Sequence, residues 1–336
     1  MKIIKKTAKL IPILILICHM GYAQEYQKLA QTGLQFLSVI SDAKAVAMAE
    51  AVTTIPMGSS SLFFNPAGLA QMESFIDLSG SSNKWIADIN HYTFSLAVQP
   101  GNGDYGVFGF TLQSVDYGDF IGTQKTDDFK GYVDTEIFSL SALAIGVGYA
   151  RKLSDRFSIG GQIRYVHQNL GESMIPVEST ADDSTLHSVK NEESPVVIDF
   201  GTYFKTGIHS LVFGMSVRNF SPEIKYVDEP FQAPLVFNLG ISMNMMDLFD
   251  DLPFNQKLYV SLDANHHQDK NEQLKFGADY QVLDLIALRA GYITGEDLSG
   301  FSFGFGVTQS GFSFDYSYTP FDLFEKVQRL TGRFSF

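Results

Sequence analysis

The stretch Phe301-Ser302-Phe303-Gly304-Phe305-Gly306-Val307-Thr308-Gln309-Ser310-Gly311-Phe312-Ser313-Phe314-Asp315-Tyr316-Ser317-Tyr318 decides how this chain folds. Phe301, Phe303, Phe305 and Val307 alternate with Ser302, Gly304, Gly306 and Thr308. After a short Gln-Ser-Gly connection, Phe312, Phe314, Tyr316 and Tyr318 alternate with Ser313, Asp315 and Ser317. Period-two alternation on both sides of a Gly-containing connection is a β-hairpin with two unlike faces. One face is aromatic and the other is small or polar. A soluble sandwich would also alternate, but its outward face would carry many Lys, Glu and Thr. A Gly- and Ser-rich second face suits a crowded polar lumen. Apolar outside and polar inside is the arrangement that lipid demands of a closed barrel.

The same pattern recurs at 157–165, 258–265 and 330–336. Followed along the chain, it predicts an all-β, transmembrane antiparallel β-barrel of about fourteen strands. The strand cores are expected at 75–82, 90–99, 104–115, 137–150, 156–168, 196–205, 210–219, 235–245, 257–266, 273–281, 285–293, 300–308, 312–318 and 329–336. An even count fits bacterial single-chain barrels. If the first strand runs outward, the periplasmic turns fall at 100–103, 151–155, 206–209, 246–256, 282–284 and 309–311. Nearly all of these are short. The outer connections 116–136 and 169–195 are long, polar and acidic. That asymmetry is expected of the class. The final strand ends on Phe336, an aromatic of the kind that barrel-assembly machinery reads as its signal.

The N-terminus reads as a secretory signal peptide over 1–23. Lys2, Lys5, Lys6 and Lys9 form its basic start, residues 10–18 its apolar run, and Gly21-Tyr22-Ala23 its cleavage site. The run is too short to span a bilayer, which takes about 20 residues. Cys18 is the one cysteine, and Ile17 stands where a lipid-attachment motif wants a small residue. A mature chain without Cys has no disulfide and no Cys-bound metal. Taking away the leader's four Lys lowers the formal charge from −13 to −17. That acidity argues against nucleic acid as a partner. Outer-membrane lipid is the expected surrounding.

Residues 24–72 do not alternate, and 73–336 carry the strands. The stretch 33–52 is Ala-rich and helix-compatible, and Ser59-Ser60-Ser61 is suited to capping a short helical turn. Asn65-Pro66 favours a turn start, and Gly68 is free to take positive φ. The apolar residues from Leu62 to Leu69 would be an aggregation patch if exposed. The segment is therefore expected to form a partly helical hatch in the lumen, with Phe64, Asn65, Pro66, Ala67, Gly68 and Leu69 as its motif.

Gly33-Leu34-Gln35-Phe36-Leu37, the run 42–51 and Phe64-Asn65-Pro66-Ala67-Gly68-Leu69-Ala70 resemble the PorV/PorQ family, which is related to FadL-type outer-membrane transporters. The end of the chain, 316–321 and 333–336, also looks like that family's last hairpin. Glu50 departs from it, standing where the family usually has Gly. The resemblance implies a fourteen-stranded barrel with a hatch. PorV-like members carry exported proteins, by their C-terminal domains, within type IX secretion. FadL-like members pass hydrophobic molecules inward.

Alternation points Arg164, Asp199, Arg218, Asp263, Asp279, Arg289, Asp315 and Arg333 into the lumen. Four charges of each sign suit a salt-bridge network that fixes hatch to barrel, since buried charges persist when paired. A polar conduction path is the competing reading. Phe36, Phe63, Phe64, Tyr203 and Tyr259 are candidates to line a small apolar pocket. In the first long outer loop, Tyr117, Phe120, Phe129 and Tyr132 are interleaved with charges, a composition suited to protein contact. Gly300-Phe301-Ser302-Phe303-Gly304 fits Gly-x-Ser-x-Gly by spacing but lies in the alternating hairpin rather than at a strand-to-helix turn, and no His-Glu-x-x-His or phosphate loop occurs, so an enzyme is not expected. His266-His267 would point to opposite faces of a strand, and Asp182-Asp183 with His187 reads as solvated loop charge, so neither a metal nor another cofactor is expected. Two functions stand: an accessory protein of type IX secretion that binds cargo or secretion components, and a transporter of hydrophobic small molecules.

Overall fold

The computed structural model describes residues 32–126, 129–176, 186–226, 229–249, 254–295, 300–321 and 326–336. The signal-peptide stretch, Cys18, Asp182, Asp183 and the side chain of His187 lie outside the described residues. Alternating segments become strands β1 (Ile76–Lys84), β2 (Asn90–Val98), β3 (Val107–Lys125), β4 (Tyr132–Lys152), β5 (Phe157–Pro176), β6 (Val196–Lys205) and β7 (Val212–Phe220). They continue as β8 (Val236–Asn244), β9 (Gln256–His267), β10 (Gln273–Val282), β11 (Ile286–Ile293), β12 (Phe301–Gln309), β13 (Phe312–Thr319) and β14 (Val327–Ser335). Each pairs antiparallel with the next. β14 returns to β1, with Gly332 opposite Gly80, and closes the barrel. Closure satisfies the backbone without water, which is what a lipid surround requires.

The strand faces are sorted inside out. Phe303, Phe305 and Phe314 are 49, 44 and 49% exposed on the wall, while Ser302, Asp315 and Ser317 are 4, 6 and 0% exposed in the lumen. The fourteen-stranded antiparallel barrel expected from the alternation is the observed fold.

One expectation is corrected. Among the described residues, the outer connections 116–136 and 169–195 are mostly strand rather than loop. β3 and β4 run on beyond β2 as a two-stranded ribbon, with Phe120 opposite Phe138 and Ile121 opposite Ile137. Bulges between Asp116 and Asp119 and between Ile121 and Thr123 keep the ladder going past the mismatched spacing. The upper half of β5 pairs with a second ribbon strand, Leu186–Glu193, which leads into β6 across Ser194-Pro195. Interspersed charges masked this pairing, because they break a clean apolar alternation without breaking the backbone ladder.

Residues 32–72 run through the lumen. At the outer rim Thr32 Oγ1 donates to Asp269 Oδ2 at 2.7 Å. Leu34, Phe36 and Leu37 then pack on Val115, Ala142, Ala144, Val166 and Val197. The helix α1 (Ala43–Ala47) follows, capped by Asp42, whose Oδ1 accepts from Ala45 N at 2.9 Å. Short 3-10 turns at Gly58–Phe63 and Pro66–Gln71 complete the descent. Leu62, Leu69, Ala70 and Met72 end it against Ala97, Val107 and Ala150 near the periplasmic rim.

Candidate functional site

The Asn-Pro-Ala-Gly turn is held by one side chain. Asn65 Oδ1 accepts from Ala67 N at 3.1 Å and caps the turn, with Pro66 at its first position. Asn65 Nδ2 donates to Thr53 O at 2.8 Å and to Thr202 O on β6 at 3.0 Å. One amide thus joins two parts of the hatch to the wall. Phe64, Ala67 and Leu69 are buried beside it. Gly68 sits in a 3-10 turn and is not among the positive-φ glycines. Its missing side chain instead makes room for Ser61, whose Oγ would lie 3.1 Å from an added Cβ. The N-cap of the Ser turn is Met57, which makes no side-chain cap; Ser61 Oγ instead accepts from Met57 N at 3.3 Å. Ser59 N donates to Asp77 Oδ1 at 2.8 Å, and the Ser59 and Ser95 hydroxyls bond at 2.8 Å.

The luminal charges form separate clusters rather than one network. Arg164 Nη2 lies 2.7 Å from Asp199 Oδ1, which also accepts from Asn219 N at 2.7 Å. Arg289, on β11, links two other strands: Nε lies 3.1 Å from Asp279 on β10, and Nη1 2.6 Å from Asp315 on β13. The reach across β12 passes over Gly306, where a Cβ would sit 2.8 Å from Nη1. Arg333 Nη2 lies 2.7 Å from Asp77 Oδ2 across the β14–β1 closure. Arg218 and Asp263 depart from the expected ion pairing. Arg218 Nη1 donates to Phe63 O at 2.5 Å, and Asp263 Oδ2 accepts from Thr53 N at 2.9 Å. Each faces hatch backbone rather than an opposite charge.

Several partners escaped the sequence reading. Asp77 and Lys275 were readable in principle, since each lies on the polar face of its strand. Lys44 and Glu50 were not, because hatch residues have no periodicity to orient them. Lys44 Nζ lies 3.9 Å from Asp279 Oδ2. Lys275 Nζ lies 2.7 Å from Glu50 Oε2. Burial pushes the Glu50 carboxyl up, but the Lys275 charge and hydrogen bond outweigh it and hold the group at about 2. Arg329 Nε donates to Ile40 O at 2.9 Å. So the residue that departs from the PorV/PorQ pattern is itself a tie between hatch and wall.

Space in the lumen is scarce where hatch and wall meet. The void bordered by Leu37, Phe63, Phe64, Arg164 and Arg218 is about 20 Å³, room for about one water. The expected aromatic pocket does not assemble as one site. Phe36 packs in the outer half, and Phe63 and Phe64 border the small void. Tyr203 and Tyr259 instead line a separate cavity of about 450 Å³ at the periplasmic end, with Pro56, Leu211, Val212, Arg156 and Lys205. At the outer rim, Tyr117 is corrected from its expected place in a contact loop. It turns inward onto the apolar cluster at the mouth, where Gln168 Nε2 donates to its hydroxyl at 3.3 Å. Phe120 stacks on Phe138 with ring centroids 5.8 Å apart, Tyr132 is half exposed, and Phe129 stands fully exposed at the ribbon turn. Phe336 is exposed at the periplasmic rim, its N–H donating to Ile76 O at 2.9 Å.

Residues 121–322, well over half of the chain, match the model of the type IX secretion system membrane protein PorP/SprF. The chain belongs to the PorP/SprF family. Membership and fold together place it in the outer membrane as a β-barrel. They are those of secretion and transport barrels rather than enzymes. The PorP/SprF match supports the type IX class but does not reach the PorV/PorQ branch, whose N-terminal motif precedes residue 121. No curated protein matches the chain. Among solved structures, the Ralstonia pickettii toluene transporter TbuX superposes with a TM-score of 0.60 at 13% identity, over 88% of this chain and 98% of its own. The CymD monoaromatic hydrocarbon channel gives 0.59 at 13% identity, over 88% and 97%. A Pseudomonas aeruginosa FadL homologue gives 0.53 at 15% identity, over 88% and 98%. At such identities the likeness shows the fold alone.

Proposed function

We propose that this PorP/SprF-family barrel is an accessory component of type IX secretion that binds exported cargo or partner proteins at its outer rim. The observation that carries the reading is the occupied lumen. Ion pairs and hydrogen bonds tie the hatch to β6, β7, β9, β10 and β14, and the voids around Phe64 and Arg218 in mid-lumen are water-sized, the larger Tyr203–Tyr259 cavity lying at the periplasmic end. A wall built this way is suited to a rigid platform. The exposed aromatics Phe120, Phe129 and Tyr132 on the outer ribbon supply anchors for a partner. The N-terminal resemblance to PorV/PorQ supports cargo C-terminal domains as the bound element. Phe336, exposed on the closing strand, is the signal that barrel-assembly machinery would read. The test is a pull-down from detergent-solubilised membranes. Exported proteins with type IX C-terminal domains should co-purify with the intact chain and be depleted at least tenfold when Phe120, Phe129 and Tyr132 are all changed to Ser. Recovery of none from wild type would sink the reading.

A second reading, a FadL-like transporter of hydrophobic small molecules, has one observation in its favour. The Tyr203–Tyr259 cavity is of ligand-binding size and has an apolar floor. Uptake of labelled toluene that depends on the chain, together with failure of the pull-down, would favour it.

A further inference from the structure

The outer ribbon is an unfinished sheet. Above the barrel, β3 loses its neighbour: the β2 ladder stops at Asn90 opposite Asp116. From Asp119 to Lys125 β3 pairs with β4 alone. The backbone groups on its far side have no ladder partner among the described residues. The one extra β3 residue set that breaks the register lies below this stretch, between Asp116 and Asp119, where Gly118 takes φ +75°. The next irregularity, between Ile121 and Thr123, puts its extra residue on β4, opposite Gly122. The free edge of 119–125 is therefore seven residues without an insertion of its own. The opposite edge, on β4, is less open. It faces the second ribbon, and Phe138 and Leu140 come within van der Waals reach of a Cβ on Gly171.

Both faces of this ribbon are apolar. Phe120 and Phe138 share one face, and Ile121 and Ile137 the other, with exposures of 39, 41, 64 and 66%. A two-stranded ribbon is marginal by itself in water, and a third strand is what stabilises it. A long exposed edge with apolar faces is also what proteins normally blunt or cover. Charge says what kind of strand fits. Among the described ribbon side chains, Asp119, Asp134 and Glu136 oppose the single cation Lys130. A basic apolar segment is complementary to the net acidic stretch 119–138, whereas a second copy of it would bring a like net charge.

We propose that the free edge of β3 at 119–125 receives an extended segment of a second polypeptide, apolar in alternation and flanked by Lys or Arg, as an added antiparallel or parallel strand. Main-chain hydrogen bonds would supply affinity, and the Phe120 and Ile121 faces would select alternate side chains. The inference rests on the protein-binding reading above and specifies its chemistry.

Hydrogen exchange on the detergent-solubilised full chain tests it. The probe is the peptide Lys-Val-Thr-Val-Tyr-Val-Thr-Val-Lys, with the same peptide carrying a central Pro as control. In the free protein, alternate amides within 119–125 should exchange fast. The probe should slow them at least tenfold, the Pro control should not, and replacing both Asp134 and Glu136 by Lys should weaken the effect at least tenfold. Heat-modifiable gel mobility verifies that the variant barrel is folded. Absence of protection by the probe would overturn the inference. Slow exchange at all of these amides in dilute free protein would do the same, because the edge would then be covered by this chain or a copy of it. If the cargo pull-down succeeds while 119–125 stays unprotected, partner binding stands and strand addition falls. If the pull-down fails and the probe still protects the edge, the reverse holds.

Discussion

Arg289 shows what a buried charge does in this wall. It joins Asp279 and Asp315 across the intervening β12, at 3.1 and 2.6 Å. Changing it to Ala strands two buried carboxylates, with Lys44 at 3.9 Å as the nearest relief for one of them. Breaking such a pair from one side costs about 3–5 kcal/mol. Arg289→Ala should therefore lower the thermal transition of the barrel, followed by heat-modifiable gel mobility, with little change in single-channel conductance. Unchanged melting with altered conductance would turn the cluster from a brace into part of a path. Glu50 gives a pH-dependent counterpart. Its carboxyl is held at about 2 against an ordinary 4.5. A depressed folded-state value means that the stabilisation is fully present above pH 4.5 and is lost as pH falls from there to about 2. Acid should thus loosen the hatch in that window, by about 3 kcal/mol at most. Protease access to the lumen is the readout, and Glu50→Gln should flatten the response between pH 5 and 3. An identical acid profile in the variant would assign the loosening to another group.

At the scale of elements, the hatch depends on close approach. A Cβ added to Gly304 on β12 would lie 2.5 Å from the Ala47 Cβ of α1, and one on Gly160 would lie 2.5 Å from Pro66 O. A Cβ on Gly304 would also lie 2.5 Å from the Tyr316 carbonyl of β13, so the cleaner test is Gly291→Val on β11, whose added Cβ would meet Met48 C, Ala49 N and Ala49 Cβ first. It should push the hatch off the wall while leaving the β11 ladder intact, since Val favours strands. Asn65→Ala removes three hydrogen bonds and leaves the Thr53 and Thr202 carbonyls without their donor. That substitution should cost about 2 kcal/mol. Limited proteolysis should then cut within 40–72 in both variants before the barrel itself unfolds. Equal resistance of wild type and variants would mean that the hatch is held elsewhere. The contrast explains what could be read in advance. Strands were legible because a wall between lipid and lumen writes a period of two into the sequence, as in 301–318. The Asn65 turn was legible because Asn-Pro has few local conformations. The upper ribbons were not, since Asp119, Asp134 and Glu136 interrupt the apolar pattern in water, where either face is tolerated. Nor was the inward turn of Tyr117, which follows from the bulge beside it rather than from composition.

At the scale of the whole molecule, the question is whether the barrel is a wall or a passage, and the hatch decides it. The chain enters the lumen at the outer rim through Thr32 and leaves it near Met72 at the periplasmic rim, so one continuous segment runs the height of the barrel. Fourteen strands enclose more space than eight, whose interior side chains suffice to fill it. Without 33–72, the space now taken by Leu62, Leu69, Met48 and their neighbours would fill with water. The wall should still close, because the β1–β14 pairing involves no hatch residue. It would be less stable, since Asp263, Arg218 and Lys275 would lose their hatch partners. In planar bilayers, intact protein should therefore show little steady conductance, and the chain lacking 33–72 should show large, persistent steps. Because the ribbon at 119–136 stands outside the barrel wall, cargo capture by the shortened chain should survive even as it conducts. Equal conductance of the two forms would remove the plug from the account. Loss of capture in the conducting form, with 119–125 still open to exchange, would mean that partners are recognised through the hatch rather than the rim.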